Sequence, residues 1–557
     1  MFRLSKKDDS ENEKGATEKA EDISENEEQE DEKQDSYNVE RSETKPNDST
    51  EPTSVFPDNE EDKNTDRPTE ISYTGDVYDM ADAIDKGGFG WYQILVTFLG
   101  GMVWFTAASQ IMVLTFIGDF LACRWNIYRW QNALLLSLLF FCMSIGSPVF
   151  GYLSDHYGRK KSIALYLIIQ FTFGAGSAAA NSMPTIIILM AFVGFALGGK
   201  GQIITYVCEF YPTKDRGIVA FYTSYYWTTA TLFLISVSWG AMNVIDNWRG
   251  LLFIASLPAL IVLLVINWYP ESPRYYQISQ QPDKAMERLE VMAHMNKVQM
   301  PKGRLKPYKK DEDEDRRHFM HFFQPESRST LLMLYLWFSV SFTYYAYALI
   351  TPVIIKFGTI RLSKEMIVDI IANNDTEILL STFPCKEFTQ QNYIDFLWIT
   401  VAEIPGVCVF SFLVTSMNRN ILLSCACFLS MLTTLLLLIN TKHNIALKVL
   451  LFLGRAIICA IYQTLFIMTV ENFPTTLKGF ALGANSSFGR LGAAIVPFVI
   501  QVLLAQNPVS SICIIGLIIF FGGVSAAFLP EEIKNKVQRE IPSDSQHKVT
   551  SHKRDKC

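Results

Sequence analysis

The chain has 557 residues, 49% of them hydrophobic, and a formal net charge of −7. The charge is uneven: residues 1–70 hold 24 acidic and 10 basic side chains, a net −14, which leaves +7 on the other 487 residues. An acidic head argues against nucleic-acid binding. The apolar runs behind it, each about 20 residues, exclude a purely soluble protein, because that is the length a helix needs to cross a hydrocarbon core.

Residues 1–70 are rich in Glu, Asp, Ser, Asn and Lys and almost free of aromatics. Such a segment buries too little apolar surface to offset its ordering entropy. It is expected as a disordered acidic cytoplasmic tail that offers itself to a cytoplasmic protein partner. No apolar leader opens the chain, so the first run, near Trp91, is expected to act as an uncleaved signal-anchor. Twelve runs follow, numbered α1 to α12: 93–118, 131–153, 161–180, 184–207, 218–240, 249–269, then 330–356, 394–416, 420–440, 446–470, 479–505 and 509–529. They divide the chain into an N-terminal six-helix half (71–269), a cytoplasmic linker (270–329), a C-terminal six-helix half (330–529) with a lumenal or extracellular loop (357–392), and a cytoplasmic tail (530–557). The fold class is an all-α membrane protein of twelve transmembrane helices in two pseudo-symmetric halves.

Loop charge sets the orientation. With the N-terminus inside, the short cytoplasmic loops carry Arg159, Lys160, Lys161, Lys214, Arg216, Arg419 and Lys478. The opposite loops contain Arg124, Arg129, Arg249 and Lys442, and seven against four favours cytoplasmic termini. Asn374-Asp375-Thr376 is then a glycosylation sequon on the non-cytoplasmic side.

The halves echo one another. Glu209-Phe210-Tyr211-Pro212-Thr213 recurs as Glu471-Asn472-Phe473-Pro474-Thr475, 262 residues on, and Pro270-Glu271 recurs as Pro530-Glu531, 260 residues on. Parallel repeats of this kind build alternating-access carriers with the solute site between them near the midplane. Between α2 and α3 the chain reads Gly151-Tyr152-Leu153-Ser154-Asp155-His156-Tyr157-Gly158-Arg159-Lys160-Lys161. Glycines permit close backbone approach in so tight a turn. Asp155 is expected to accept from a helix N-terminus or from Arg159, in a charge network that would latch the halves.

This loop resembles the signature loop of the major facilitator superfamily, and Pro270-Glu271-Ser272-Pro273-Arg274 after α6 resembles its sugar-porter clan. Cys385, Tyr393-Ile394-Asp395-Phe396-Leu397-Trp398, Glu403-Ile404-Pro405-Gly406-Val407 and the Tyr344-Tyr345 pair are similar to the synaptic vesicle glycoprotein 2 family, over about Asp79 to Lys534. The resemblance implies the major facilitator fold and a gating network of Gly151, Asp155, Gly158, Arg159, Lys160, Glu209, Arg216, Glu271, Arg274 and Glu471. The second loop, Thr415-Ser416-Met417-Asn418-Arg419-Asn420, lacks the acid and glycine of that signature, so a latch there must be weaker. Such carriers tend to place an acid in α1 and an arginine in α4. Ala107 or Gln110, and Met190, stand at those positions here, which points to a facilitator or to coupling through Glu403 or Glu209.

Ionisable groups inside a bilayer are costly and usually face a cavity or a partner. Lys200 in α4 is expected to meet an anionic solute, to pair with Glu209, or to reach a lipid headgroup. Glu403 and Arg455 are expected to pair, either to hold α8 to α10 or to gate. Among the aromatics of α5 and α7, Trp227 and Tyr344 are expected on a cavity wall. The ten cysteines show no metal-ligand spacing, and no nucleophile–base set or nucleotide loop is present, so neither enzyme activity nor a cofactor is expected. Two functions fit: a carrier of a small organic solute in a plasma or vesicle membrane, or a transporter-shaped vesicle scaffold or receptor that works through its acidic tail.

Overall fold

The computed structural model describes residues 77–125, 127–243, 247–300, 303–306, 327–358, 388–439, 444–472 and 478–529. The acidic head, the C-terminal tail and Asn374 lie outside these residues. Every predicted run is helical. The first six are α1 (Trp91–Trp125), α2 (Arg129–Tyr157), α3 (Arg159–Ser177), α4 (Met183–Leu197, then Gly201–Cys208), α5 (Val219–Asn243) and α6 (Trp248–Leu264). The second six are α7 (Ser327–Phe357), α8 (Gln390–Val401, then Glu403–Ser416), α9 (Arg419–Leu436), α10 (Asn444–Asn472), α11 (Lys478–Pro497, continued to Gln506) and α12 (Pro508–Ala527). Ten of these have the length and apolarity of a membrane span, while α6 is apolar but shorter and α3 opens on three basic residues. Lipid offers backbone groups no hydrogen bonds, so a helix that satisfies its own is the natural element here. Phe412, Ile445 and Leu517 face outward, as a surface wetted by lipid requires.

The halves repeat in space as in sequence. α1 packs on α5 and α6, α2 on α4, and α3 on α4 and α6. In the second half α7 packs on α11 and α12, α8 on α10, and α9 on α10 and α12, the same set with six added to each number. Across the seam α2 lies on α11 and α5 on α8. Ser144 and Ser487 exchange hydroxyl-to-carbonyl bonds of 3.0 and 3.2 Å there. Two helices break where charge sits: α4 tightens into a 3-10 turn over Gly198–Lys200, and α8 is interrupted at Ala402, just before Glu403. Such irregular turns often mark functional positions.

The segment after α6 holds more than a plain linker. A short helix, Met80–Gly87, contacts a second, Pro282–Asn296, which buries Ala285, Leu289, Met292 and Ala293. Beside them β1 (Val77–Tyr78) pairs in parallel with β2 (Arg304–Leu305).

Helix approach is closest between α2 and α4. A Cβ on Gly146 would stand against the Phe195 backbone, and one on Gly198 would reach the backbone of Gly146 and Ser147. Gly146→Ala is therefore expected to destabilise by about 1–3 kcal/mol, as overpacking does. Gly240→Ala, whose Cβ would meet open space, is expected to be neutral or to stabilise by about 0.5–1 kcal/mol, because glycine weakens a helix. Thermal unfolding of the purified protein checks the pair, and an equal effect of both would refute the assignment.

Candidate functional site

The signature loop builds an ionic knot at one end of the first half. Gly158 ends α2 with φ of 102°, a conformation that favours glycine. A Cβ there would also meet Glu271 Oε2 at 2.6 Å. That carboxylate sits on the N-terminus of α3, accepting from the backbone N–H of Arg159 at 2.8 Å and of Lys160 at 3.2 Å, where the helix dipole favours a negative charge. Burial nonetheless raises the Glu271 carboxyl above its ordinary range. Arg159, itself buried, turns inward to give Nη2 to Glu209 at 2.8 Å and also bonds Asp155 and Ser154. Burial alone would raise the Glu209 carboxyl, but the Arg159 guanidinium overrides it and holds the group below the usual carboxylate range. Around the knot, Arg216 Nε donates to the Tyr211 carbonyl at 3.1 Å and Lys160 Nζ to that of Asn267 at 3.1 Å. Arg274 is exposed, with its charge bearing on Glu209. Gly151 faces the Gln202 side chain.

Every bond just described stays within the first six helices and the segment just after α6, so the knot braces one end of that half and does not itself span the seam. Glu471 lies in α10, but its side chain is outside the described residues. At the second loop, Asn420 Nδ2 donates to the Leu529 carbonyl at 2.9 Å.

The second cluster lies at the centre and does span the seam. Glu403 is fully buried and Arg455 is 2% exposed. Arg455 Nε donates to Glu403 Oε1 at 2.9 Å, Tyr344 OH donates to the same oxygen at 3.3 Å, and Thr228 Oγ1 of α5 donates to Oε2 at 2.7 Å. Trp227 Nε1 donates to Tyr344 OH at 2.6 Å. The Lys200 ammonium lies over the Trp227 ring at 4.4 Å and over Trp104 at 5.2 Å. The structure thus brings Lys200, Trp227, Tyr344, Glu403 and Arg455 into one chain of contacts. Lys200 does not pair with Glu209: nine residues is two and a half turns, which puts the two on opposite helix faces, and Glu209 is taken by Arg159. Thr228 was not legible as a member, since a threonine among helical aromatics carries no distinguishing signal. Arg490 of α11, also buried, was missed although a lone basic residue inside an apolar run is itself a signal. At the far end from the signature loop, Tyr393 of α8 stacks on Phe116 of α1 at 6.3 Å and on Trp239 of α5 at 6.2 Å, forming an aromatic plug across the seam.

The chain matches the family described as sugar (and other) transporter over residues 93–373 and the Major Facilitator Superfamily over residues 388–554. It is 31% identical to the synaptic vesicle 2-related protein of Xenopus laevis over 469 residues, 84% of this chain and 83% of that protein. The organic cation/carnitine transporter 7 of Arabidopsis thaliana is 27% identical over 488 residues, 82% of this chain and 95% of that one. Among solved structures, the proton:xylose symporter XylE bound to 6-bromo-6-deoxy-D-glucose aligns with a TM-score of 0.56 at 16% identity, over 79% of this chain and 96% of that chain. That likeness is one of fold.

Removing one partner of a buried ion pair costs about 3–5 kcal/mol, whereas an exposed pair contributes about 0–1 kcal/mol. Glu209→Gln is therefore expected to lower the unfolding temperature clearly, and Asp155→Asn, whose side chain is 66% exposed, hardly at all. Because the Glu209 carboxyl is held below its ordinary value of 4.5, its contribution is complete above that pH and is lost as the pH falls through the lower folded value. Unfolding of both variants across the acid range tests this, and equal losses in both would contradict it.

Proposed function

The chain belongs to the major facilitator superfamily, among its sugar and other transporters, and on that footing we propose that it carries a small organic solute across a bilayer by alternating access. The observation that supports this most directly is the Thr228–Glu403 hydrogen bond, buried and shared between the two halves. A path between the halves opens only if that bond parts. Arg455 stays with Glu403 on the same half, so parting strands no bare charge. It gives up one hydrogen bond to a charged group, about 1.5–3 kcal/mol, a sum that contacts to a solute can offset. The Tyr393 plug is the corresponding gate at the other end.

Two buried side chains favour a facilitator. Gln110 of α1 accepts from Ser256 at 3.2 Å and Ala107 is apolar, so neither position the resemblance points to holds a proton carrier. Glu403 is the carboxylate left at the centre. In this reading both termini are cytoplasmic, the membrane is that of a vesicle or the cell surface, and the acidic head binds a cytoplasmic protein without taking part in transport.

Reconstituted in liposomes, the protein is expected to exchange at least one labelled class among sugars, nucleotides, organic cations and organic anions saturably, with no imposed proton gradient. Glu403→Gln is expected to slow that exchange by roughly tenfold, equivalent to about 1.4 kcal/mol, and deletion of residues 1–70 to leave it intact. Exchange no faster than in protein-free liposomes for every class would favour the scaffold reading. Strict dependence on a proton gradient that survives Glu403→Gln and Glu209→Gln would remove the facilitator reading.

A further inference from the structure

The charges at the centre do not balance. Glu403 answers Arg455, but among the described residues no carboxylate pairs with Lys200 or Arg490. Both are 5% exposed. Arg490 Nη1 is buried without a hydrogen-bond partner. Its Nη2 lies 3.7 Å from where a Cβ on Gly201 would stand, so the guanidinium reaches across the seam from α11 to the residue following Lys200. Like charges lodged on the two sides of a low-dielectric seam repel one another. A buried charge without a counter-charge opposes folding, and two of one sign on opposite sides of the same seam oppose it more. The aromatic faces under Lys200 offset only part of this, and a lipid headgroup is a poor answer for groups enclosed between helices.

We propose that the carried solute is a small organic carboxylate that bridges Lys200 and Arg490, with its apolar or aromatic body against Trp104 and Trp227, a refinement that rests on the carrier reading above. The two cations divide the task. The planar fork of Arg490 matches a carboxylate in two bonds, and the Lys200 ammonium supplies a point charge. A neutral sugar would leave both charges uncompensated, and a cation would add a third. Because Lys200 belongs to the first half and Arg490 to the second, the anion turns a repulsion across the seam into an attraction. Its arrival therefore draws the halves together around it, and its departure lets them part.

Three ring compounds of similar size separate the alternatives: benzoate, benzamide and benzylammonium. Thermal unfolding in detergent is expected to rise saturably with benzoate and not with the other two. Lys200→Met and Arg490→Met are each expected to abolish the rise, and Lys200→Arg to keep it. Without ligand, both methionine variants are expected to unfold no earlier than the parent, since each removes an unanswered charge; this also shows that they fold. A rise with benzamide or benzylammonium equal to that with benzoate would overturn the proposal. So would a benzoate rise that survives in the Lys200→Met, Arg490→Met double variant. Displacement of benzoate by phosphatidylglycerol would also overturn it, assigning the cations to a lipid headgroup. Liposome exchange keeps the two readings apart: benzoate that binds while no solute class exchanges upholds the anion site and overturns the carrier, while exchange confined to cations or sugars does the reverse.

Discussion

The carboxylate of Glu403 takes hydrogen bonds from Arg455 and Tyr344 of its own half and from Thr228 of the other, and the waist of the bundle is organised around that group. A charge so deep is tolerable only when it is answered from several sides. The break at Ala402 makes Glu403 the first residue of a new helical segment, where the helix dipole favours a negative charge. The aromatic side chains follow from the same constraint. Tyr344 needs a partner for its hydroxyl and finds Glu403, and Trp227 then donates to Tyr344 and offers its face to Lys200. One buried acid thus fixes the rotamers of a wall that runs from α8 to α4 across the seam.

The two ends of the molecule are held by different physics. At the signature-loop end the first half is braced by carboxylates, Glu209 on Arg159 and Glu271 on the start of α3. At the second loop, which lacks the acid of the signature, a neutral bond runs from Asn420 to the Leu529 carbonyl. At the opposite end the join across the seam is aromatic, Tyr393 between Phe116 and Trp239. Stacked rings separate without stranding a charge, whereas a buried ion pair does not. A braced first half and an aromatic join at the other end suit the proposed alternating access, in which the halves rock while each stays folded.

Much of this was legible in the sequence, because lipid enforces simple rules. Apolar runs in lipid had to be helices, and each of the twelve holds one, ten of them long and apolar enough to span. The ionic knot was legible from the spacing of Asp155, Gly158 and Arg159 together with the repeated Glu-Pro motifs, although its confinement to one half was not. The Glu403–Arg455 pair was legible because two opposite charges in apolar runs have few other options. Contacts set by three-dimensional register were not legible. Glu209 belongs to Arg159 rather than Lys200 because of helical phase, and Thr228 became a partner only once α5 lay on α8. The strand pair β1–β2 and the helix Pro282–Asn296 joined sequence-distant polar segments whose few apolar residues give a faint period. Arg490 carried a readable signal, a solitary cation in an apolar helix, but its meaning appeared only beside Lys200.

In the proposed cycle the halves exchange between two arrangements across a seam fastened by Glu403. Distances between pairs of spin labels, measured by pulsed electron resonance, test it most directly. Tyr157 and Met417, both exposed, would report on the signature-loop end, and exposed Tyr128 and Ile445 on the other; exposed Cys408 and Cys425 would be replaced by serine. Two distance populations are expected at each end, the short one at one end matched by the long one at the other, with their balance shifted by Glu403→Gln. A single distance at both ends, unmoved by Glu403→Gln, would contradict it.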